Sequence, residues 1–260
     1  NADDERVLAF RAGRETAVIT YGMSRGAAVR ASNESRRYKN GVPVGMHVRV
    51  NYEGSSVPLH VNGSLGVQHV YPLLAAAAVG VSLKLNLVKM AESLSGHVSP
   101  PGRMRLIAGI NNSVIIDDSY NASPVAALEA LKTLGEVKAT GRKIAVLGDM
   151  LELGRFSVEE HRRVGVEAAK VASLLVTVGI RSRYTAGAAR EAGMKSEHVL
   201  SFDDAASAGK ALVGMISVGD VILVKGSQSI RTERVVEALM KHPEEKEKLL
   251  ARQDTGWQRR

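Results

Sequence analysis

Residues 114–124 read Val-Ile-Ile-Asp-Asp-Ser-Tyr-Asn-Ala-Ser-Pro. An apolar run from Val114 to Ile116 leads into two carboxylates and a polar turn, and a helix is predicted from Pro124 to Leu134. Ser123 suits the cap of that helix and Pro124 its first turn. Strand, turn and helix in this order indicate an α/β unit whose chemistry lies in the loop that follows the strand.

The same rhythm continues to about residue 241. Continuous apolar runs occur at 143–147, 174–178 and 221–224, and predicted helices separate them. Unbroken Val, Ile and Leu runs are typical of parallel strands that are covered on both faces. The sequence therefore predicts a doubly wound, Rossmann-like α/β domain.

The first hundred residues differ in character. Short β-rich runs, among them Val7 to Phe10 and Val44 to Asn51, precede two helical stretches at 70–83 and 85–94. A Pro-Pro-Gly break at 100–102 marks the boundary. We expect domains at 1–101 and 102–242, followed by a charged tail at 243–260 whose Glu/Lys alternation favours a solvated helix.

Composition narrows the function classes. With 260 residues and 45% hydrophobic content the chain is globular, and the absence of cysteine excludes disulfides and thiolate nucleophiles and fits the cytoplasm. The apolar stretch from Leu73 to Leu83 is too short for a membrane span. A formal charge of +8 suits phosphate- or carboxylate-rich substrates, whereas three Phe and one Trp offer little base stacking, so no nucleic acid partner is expected.

Polar residues follow three of the apolar runs. Asp117 and Asp118 could hold a ribose hydroxyl or a metal-bound group, or could simply form a polar turn before a capped helix. Asp149, in Gly-Asp-Met-Leu-Glu-Leu-Gly at 148–154, could position an amine or a water, or could cap the next helix. His161, seven residues after that element, is expected to be a packing or surface histidine.

The last apolar run ends in Lys-Gly-Ser-Gln at 225–228. Gly226 would let the backbone approach a ligand, and Lys225 and Ser227 could hold a carboxylate or phosphate at a helix start. A strand-ending lysine followed by a helix cap is the plain alternative. The residue types and their spacing leave both interpretations of this segment open.

These elements resemble the Mur ligase family. Asp-Asp-Ser-Tyr-Asn-Ala-Ser-Pro at 117–124 is very similar to the signature that opens the last domain of its D-alanyl-D-alanine-adding members, and 148–154 and 225–228 resemble two further elements. The resemblance runs from Asn1 to about Leu239. It implies a C-terminal Rossmann-like domain preceded by the second half of a central ATPase domain.

The resemblance also implies roles for individual residues. Nucleotide contacts would come from Asn1, which faces the adenine in the family, and from Asp118 with Asp117 beside it at the ribose. Arg103, in a Pro-Gly-Arg hinge, would bridge phosphate oxygens, with Arg105 as its spare. The remaining expected site residues are Asn121 and Lys225 as catalytic groups and Asp149, Gly226 and Ser227 as substrate contacts.

The implied reaction is an ATP-dependent amide ligation. A precursor carboxylate on a UDP-N-acetylmuramoyl peptide would be activated as an acyl phosphate, and the amine of D-alanyl-D-alanine would displace the phosphate in a peptidoglycan-synthesising enzyme, expected to be a monomer. ATP and Mg²⁺ are the implied cofactors, with the magnesium ligands expected upstream of residue 1 and no metal site in the chain itself.

Two departures from the family pattern qualify this interpretation. No Gly-x-x-x-x-Gly-Lys-Ser/Thr loop occurs, so we expect an inactive fragment. His69 is displaced from its family offset, and Tyr71 stands where the family has Asn. The alternatives are another ligase of the superfamily, such as a folylpolyglutamate synthetase, or a binding module without turnover.

Overall fold

The computed structural model describes residues 1–10 and 17–258. It divides into two compact units. The first comprises Asn1–Lys39 and Val44–Ser99, and the second comprises Asn40–Pro43 and Pro100–Arg260. Residues 11–16, inside the predicted first domain, and 259–260, at the end of the predicted tail, lie outside the description.

The first unit is built on a four-stranded sheet in the order β1-β2-β3-β4. Strands β1 and β2 are parallel and β3 and β4 antiparallel, and apolar side chains such as Val48 and Leu59 are fully buried. The elements in chain order are α1 (Glu5–Ala9), β1 (Tyr21–Gly22), β2 (Val29–Lys39), β3 (Val42–Tyr52), β4 (Ser55–Asn62), α2 (Val70–Ser82) and α3 (Leu87–Ser95).

The strand predicted from Val7 to Phe10 is wrong, because these residues lie in or directly after α1. The Asp4 carboxylate accepts hydrogen bonds from the amides of Arg6 and Val7 and so caps the helix. A side-chain cap satisfies two amides that a helix start otherwise leaves unpaired, and here it outweighs the β preference of Val and Phe.

The second unit is a six-stranded sheet in the order β5-β6-β10-β7-β8-β9. Only β5 is antiparallel to its neighbour; the other four pairings are parallel. The strands are β5 (Arg105–Ala108), β6 (Val114–Asp118), β7 (Lys143–Gly148), β8 (Leu174–Val178), β9 (Val199–Phe202) and β10 (Val221–Lys225). The Rossmann-like α/β prediction is confirmed, although the short edge strand β9 was not predicted.

Helices of the second unit lie between these strands and after the last of them. They are α4 (Pro124–Glu136), α5 (Ser157–Val171), α6 (Ser182–Glu191), α7 (Ala205–Val213), α8 (Glu233–Leu239), α9 (Lys246–Leu249) and α10 (Thr255–Gln258). Every residue of β6, β8 and β10 is buried. Since each fully buried aliphatic side chain contributes roughly 1.5–3 kcal/mol, this core holds the carboxyl edge of the sheet rigid.

The tail differs from its prediction. The expectation of a solvated helix is wrong for Leu250, Ala251 and Arg252, which are only 2%, 7% and 7% exposed. Leu250 belongs to the main hydrophobic core of the unit. The Glu/Lys alternation ends at Lys248, and the apolar pair that follows it draws the chain back onto the domain.

In the part of the chain that the structure describes, no helix is long and apolar enough to cross a membrane.

Candidate functional site

The candidate site lies at the carboxyl edge of the second sheet. Strand β10 runs between β6 and β7, and Lys225 is in register with Asp118 on one side and Leu147 on the other. The loops after these three strands therefore emerge side by side. This is where parallel α/β sheets collect their ligands.

A lysine and a carboxylate are paired at this edge. Lys225 Nζ donates to Asp118 Oδ2 at 2.6 Å and to the backbone oxygen of Asn121 at 2.9 Å. Both charged residues are more than nine-tenths buried. An ammonium has three N–H donors, so one donor of Lys225 is left for a further acceptor. Asn121, whose backbone oxygen accepts from Lys225, is itself an exposed residue.

Asp117 is the more enclosed carboxylate of the two. Its side chain is inaccessible, and its two oxygens accept from the amides of Gly102 and Ser119, each at 3.1 Å. Burial raises the pKa of Asp117 to about 6, against the hydrogen bonds that lower it. Asp117 therefore stabilises the loop through these two hydrogen bonds and is not accessible to a ligand. Of the two carboxylates, only Asp118, which is 7% exposed, can be reached.

Burial also raises the pKa of Asp118. The positive charge and hydrogen bond of Lys225, the amide of Met104 and the charge of Arg103 all oppose the effect of burial. The Met104 amide donates to Asp118 Oδ1 at 3.2 Å. The Asp117-Asp118 pair thus ties the segment at 102–104 to the end of β6.

Ser227 joins the three loops. Its hydroxyl accepts from the Leu151 amide at 2.9 Å and donates to the Ala122 carbonyl at 3.5 Å. Next to it, a Cβ added to Gly226 would lie 3.2 Å from the Cα of Gly148 and 2.6 Å from Thr232 Cγ2. Glycine at 226 is required for this close packing, and Ser227 at present bonds protein atoms.

Asp149 is held by the loop that follows β8. Its Oδ1 accepts from the Ser182 amide at 2.6 Å at the start of α6, and its Oδ2 lies 3.8 Å from Arg181 Nη1. The side chain is 3% exposed. The carboxylate caps a helix, but α6 rather than the next helix along the chain.

His161 is a packing histidine. It is fully buried, its Nε2 accepts from the Met150 amide at 3.0 Å, and its Nδ1 donates to the Ser157 carbonyl at 2.7 Å. These bonds suit the neutral ring, and burial lowers the pKa of His161. Its function is to hold the turn after β7.

Arg103 and Arg105 have different surroundings. Arg103 is exposed, and its guanidinium carbon lies 4.2 Å from the centre of the Tyr120 ring. Arg105 Nη1 donates to the Lys248 carbonyl at 3.4 Å. Of the two, Arg103 is the guanidinium that remains open to an anion at the carboxyl edge.

Asn1 belongs to the first unit. Its Oδ1 accepts from the Asp3 amide at 3.0 Å, and it lines a pocket with Leu8 and Thr20. Asp3 accepts from the amides of Met23 and Ser24 and from the Tyr71 hydroxyl at 2.9 Å. Although burial opposes it, these bonds lower the pKa of Asp3.

Tyr71 and His69, the two residues that differ from the family pattern before α2, each contact another side chain. Tyr71 bonds Asp3, so the unexpected residue ties α2 to the chain start. His69 Nδ1 lies 3.2 Å from the Ser99 hydroxyl. Both contacts are within the first unit.

Sequence reasoning missed a buried charge cluster beside the Asp117-Asp118 loop. Glu233 accepts from Arg231 and from Arg252, and Arg252 also donates to the carbonyls of Ser119 and Tyr120. No local pattern could have revealed it, because Arg252 comes from a tail that reads as solvated.

No group of three or more His, Cys, Asp or Glu side chains that could hold a metal ion occurs within residues 1–10 and 17–258. Asp118 is reachable, and Arg103 and Asn121 are exposed beside it.

Residues 102–228 match the family model for "Mur ligase, glutamate ligase domain". The chain is 35% identical over 181 residues to the UDP-N-acetylmuramoyl-tripeptide–D-alanyl-D-alanine ligase of Escherichia coli (strain K12), covering 68% of this chain and 38% of that protein. The enzyme of the same name from Bacillus subtilis (strain 168) is 30% identical over 181 residues, covering 69% and 39%. The chain spans about two fifths of the length of these relatives.

Solved structures show the same fold. The MurF ligase from Thermotoga maritima, in complex with ADP, superposes with a TM-score of 0.74 at 24% identity, covering 94% of this chain and 53% of that one. A MurF from Acinetobacter baumannii gives a TM-score of 0.70 at 24% identity, covering 84% and 46%.

Proposed function

We propose that the chain is part of an ATP-dependent amide ligase, because residues 102–228 match the family model for the Mur ligase, glutamate ligase domain. It would add D-alanyl-D-alanine to UDP-N-acetylmuramoyl-tripeptide through an acyl phosphate during peptidoglycan synthesis. The observation that carries the proposal is the Lys225-Asp118-Asn121 cluster, which lies at the ligand-binding edge of a sheet whose sequence matches enzymes of that name.

ATP would supply the phosphoryl group, and magnesium would neutralise its charge through ligands outside this chain. Asp118 is the residue for the ribose, because Asp117 is inaccessible. Arg103, exposed on the Tyr120 ring, would bridge phosphate oxygens, and Asn121 would lie beside them. Such a reaction depends on positioning and charge rather than on a protein nucleophile.

Lys225 would act through its remaining donor. Two of its three protons are already directed at Asp118 and Asn121, so the ammonium is oriented before any ligand arrives. Gly226 would contact the substrate with its backbone amide, and Ser227 would contact it with its hydroxyl. Asp149 would position the incoming amine through Oδ2, the oxygen that does not cap α6.

The other ligases of the superfamily are not favoured. The relatives in several bacteria at 30–35% identity carry the D-alanyl-D-alanine ligase name, and the Asp-Asp-Ser-Tyr-Asn spelling agrees. The remaining alternative is a binding module without turnover. Adding the phosphate-binding loop that this chain lacks distinguishes it from a ligase, because only a ligase would then turn over substrate.

The experiment extends the chain at its amino end with upstream coding sequence, or with the corresponding part of the Escherichia coli relative. Phosphate release is then measured with ATP, the tripeptide precursor and either D-alanyl-D-alanine or a single amino acid. We expect turnover with the dipeptide and none from the bare chain. Preference for a single amino acid would refute the proposed substrate.

Arg103→Ala in the extended enzyme tests the site itself. Loss of one charge-stabilising group costs roughly 10²–10³ in kcat. The KM for the dipeptide should change little, because Arg103 is assigned to phosphate. Arg105→Ala is the matched control and should retain kcat, since Arg105 contacts a tail carbonyl.

A further inference from the structure

The tail of the second unit returns to the candidate site. Leu250 is buried in the main core, and Arg252, two residues later, is 7% exposed beside the loop that follows β6. Hydrophobic packing of Leu250 therefore anchors the chain on the amino-terminal side of Arg252.

Arg252 holds two consecutive carbonyls of that loop. Its Nη1 donates to the Tyr120 oxygen at 2.9 Å, and its Nη2 donates to the Ser119 oxygen at 2.5 Å. Ser119 and Tyr120 lie between Asp118 and Asn121, which both bind Lys225. The loop is thus held by Lys225 from the sheet and by Arg252 from the tail.

A counter-charge fixes the guanidinium itself. Glu233 Oε2 accepts from Arg252 Nη2 at 2.8 Å, while Oε1 accepts from Arg231 Nε at 2.5 Å. Glu233 is 1% exposed. A buried guanidinium without a partner would be strongly unfavourable, so Glu233 determines where Arg252 can lie.

The Tyr120 ring links Arg252 to Arg103. The guanidinium of Arg103 lies 4.2 Å from the ring centre and that of Arg252 lies 5.7 Å from it. Arg252 therefore fixes the backbone of the residue on which Arg103 stacks. Displacing that backbone would displace Arg103 and Asn121 together.

We propose that Arg252 is a positioning residue: its fork on the Ser119 and Tyr120 carbonyls sets the loop so that Asn121 and Arg103 face the reacting phosphate. This inference rests on the proposed function and assigns part of that site to the tail. The planar guanidinium suits two neighbouring acceptors, whereas a lysine ammonium acts as a point charge.

Hydrogen exchange on the 260-residue chain tests the positioning without any ligand. The Ser119 and Tyr120 amides are hydrogen-bonded to Asp117 Oδ1 and to the Gly102 carbonyl. In Arg252→Ala they should exchange at least about tenfold faster, while the amides of β8 remain as in the wild type. Lys248→Ala, an exposed tail residue with the same charge loss, should change neither.

Trp257 gives a second readout in the same samples. It is the one tryptophan of the sequence, and its ring centre lies 5.8 Å from the Arg252 guanidinium and 5.4 Å from that of Arg231. Acrylamide quenching should increase in Arg252→Ala and not in Lys248→Ala. Unchanged exchange of the Ser119 and Tyr120 amides in Arg252→Ala would show that Arg252 does not position the loop. Equal acceleration of the β8 amides would show that Arg252 only stabilises the unit as a whole, and either result would overturn the proposal.

The extended enzyme tests the consequence for turnover. Arg252→Ala should lower kcat about tenfold to a hundredfold with the KM for the dipeptide within about twofold, because a misplacement of about 1 Å can cost 10²-fold. Arg252→Lys should recover part of the loss by bonding one carbonyl. Wild-type kcat in Arg252→Ala would overturn the inference, whereas an inactive wild-type enzyme would refute the proposed function and leave hydrogen exchange to decide the positioning.

Discussion

Lys225 Nζ lies 2.6 Å from Asp118 Oδ2, although the two residues are 107 positions apart in the chain. They are the last residues of adjacent parallel strands and face each other in register. The pair is almost completely buried, so its energetics differ from those of a surface ion pair.

Lys225→Met should destabilise the second unit by about 3–5 kcal/mol, because it leaves the Asp118 carboxylate buried without its counter-charge. Combining it with Asp118→Asn should cost less than the sum of the single changes, since no uncompensated charge remains. Urea unfolding followed by Trp257 fluorescence measures both. Strict additivity would show that the two side chains do not interact.

Asp117 should make stability fall between about pH 4 and pH 6. Its pKa is raised by burial from 3.8 to about 6, so in this interval the folded state binds a proton that the unfolded state has released. The stability that Asp117 contributes is therefore lost as pH rises, and this contribution is constant above about pH 7. The full difference corresponds to about 3 kcal/mol.

Asp117→Asn is the variant that isolates this effect. The free energy of unfolding of Asp117→Asn, minus that of the wild type, should increase as pH rises across the interval. The hydrogen bonds that the substitution weakens add only an offset that does not depend on pH. Urea titrations at half-unit steps measure the slope. Parallel pH curves for the two proteins would contradict a raised pKa at Asp117.

His161 should have the opposite pH dependence. Burial lowers its pKa below 6.5, so below that pH the unfolded state binds a proton that the folded imidazole does not. The contribution of His161 to wild-type stability is then lost as pH falls below 6.5, and His161→Leu should lack this loss.

At pH 7.5 the same His161→Leu change should cost about 1–3 kcal/mol, because the Met150 amide loses its acceptor in a buried place. His198→Leu, at an exposed position, is the control and should shift stability by less than about 0.5 kcal/mol. An equal loss in both variants would argue against the buried hydrogen bond as the cause.

Gly226→Ala should destabilise the unit by about 1–3 kcal/mol through overpacking, since the new methyl would lie 2.6 Å from Thr232 Cγ2. Thr232→Ser removes that methyl and should restore part of the loss. Gly187→Ala is the matched control, because its Cβ meets no atom within 4 Å and a helix interior gains about 0.5–1 kcal/mol from alanine. Thermal unfolding compares the four proteins.

The sheet could be predicted because its signal is local. Unbroken apolar runs followed by polar turns determine strands and loops within a few residues, and parallel pairing then brings Asp118 and Lys225 to one edge. Edge strand β9, with four residues, and the capped helix α1 were not predicted, because short segments carry weak periodicity.

The sequence alone was enough to predict the α/β class, the polar loops that follow the apolar runs, and the residue types available for a charge-positioning reaction. Three features became visible only in the tertiary structure. Asp117 is inaccessible whereas Asp118 is 7% exposed, and the Asp149 carboxylate caps α6. Arg252 of the tail donates to the Ser119 and Tyr120 carbonyls. The physical reason is that burial and hydrogen-bond partners depend on contacts between residues as much as 133 positions apart, which no local pattern encodes.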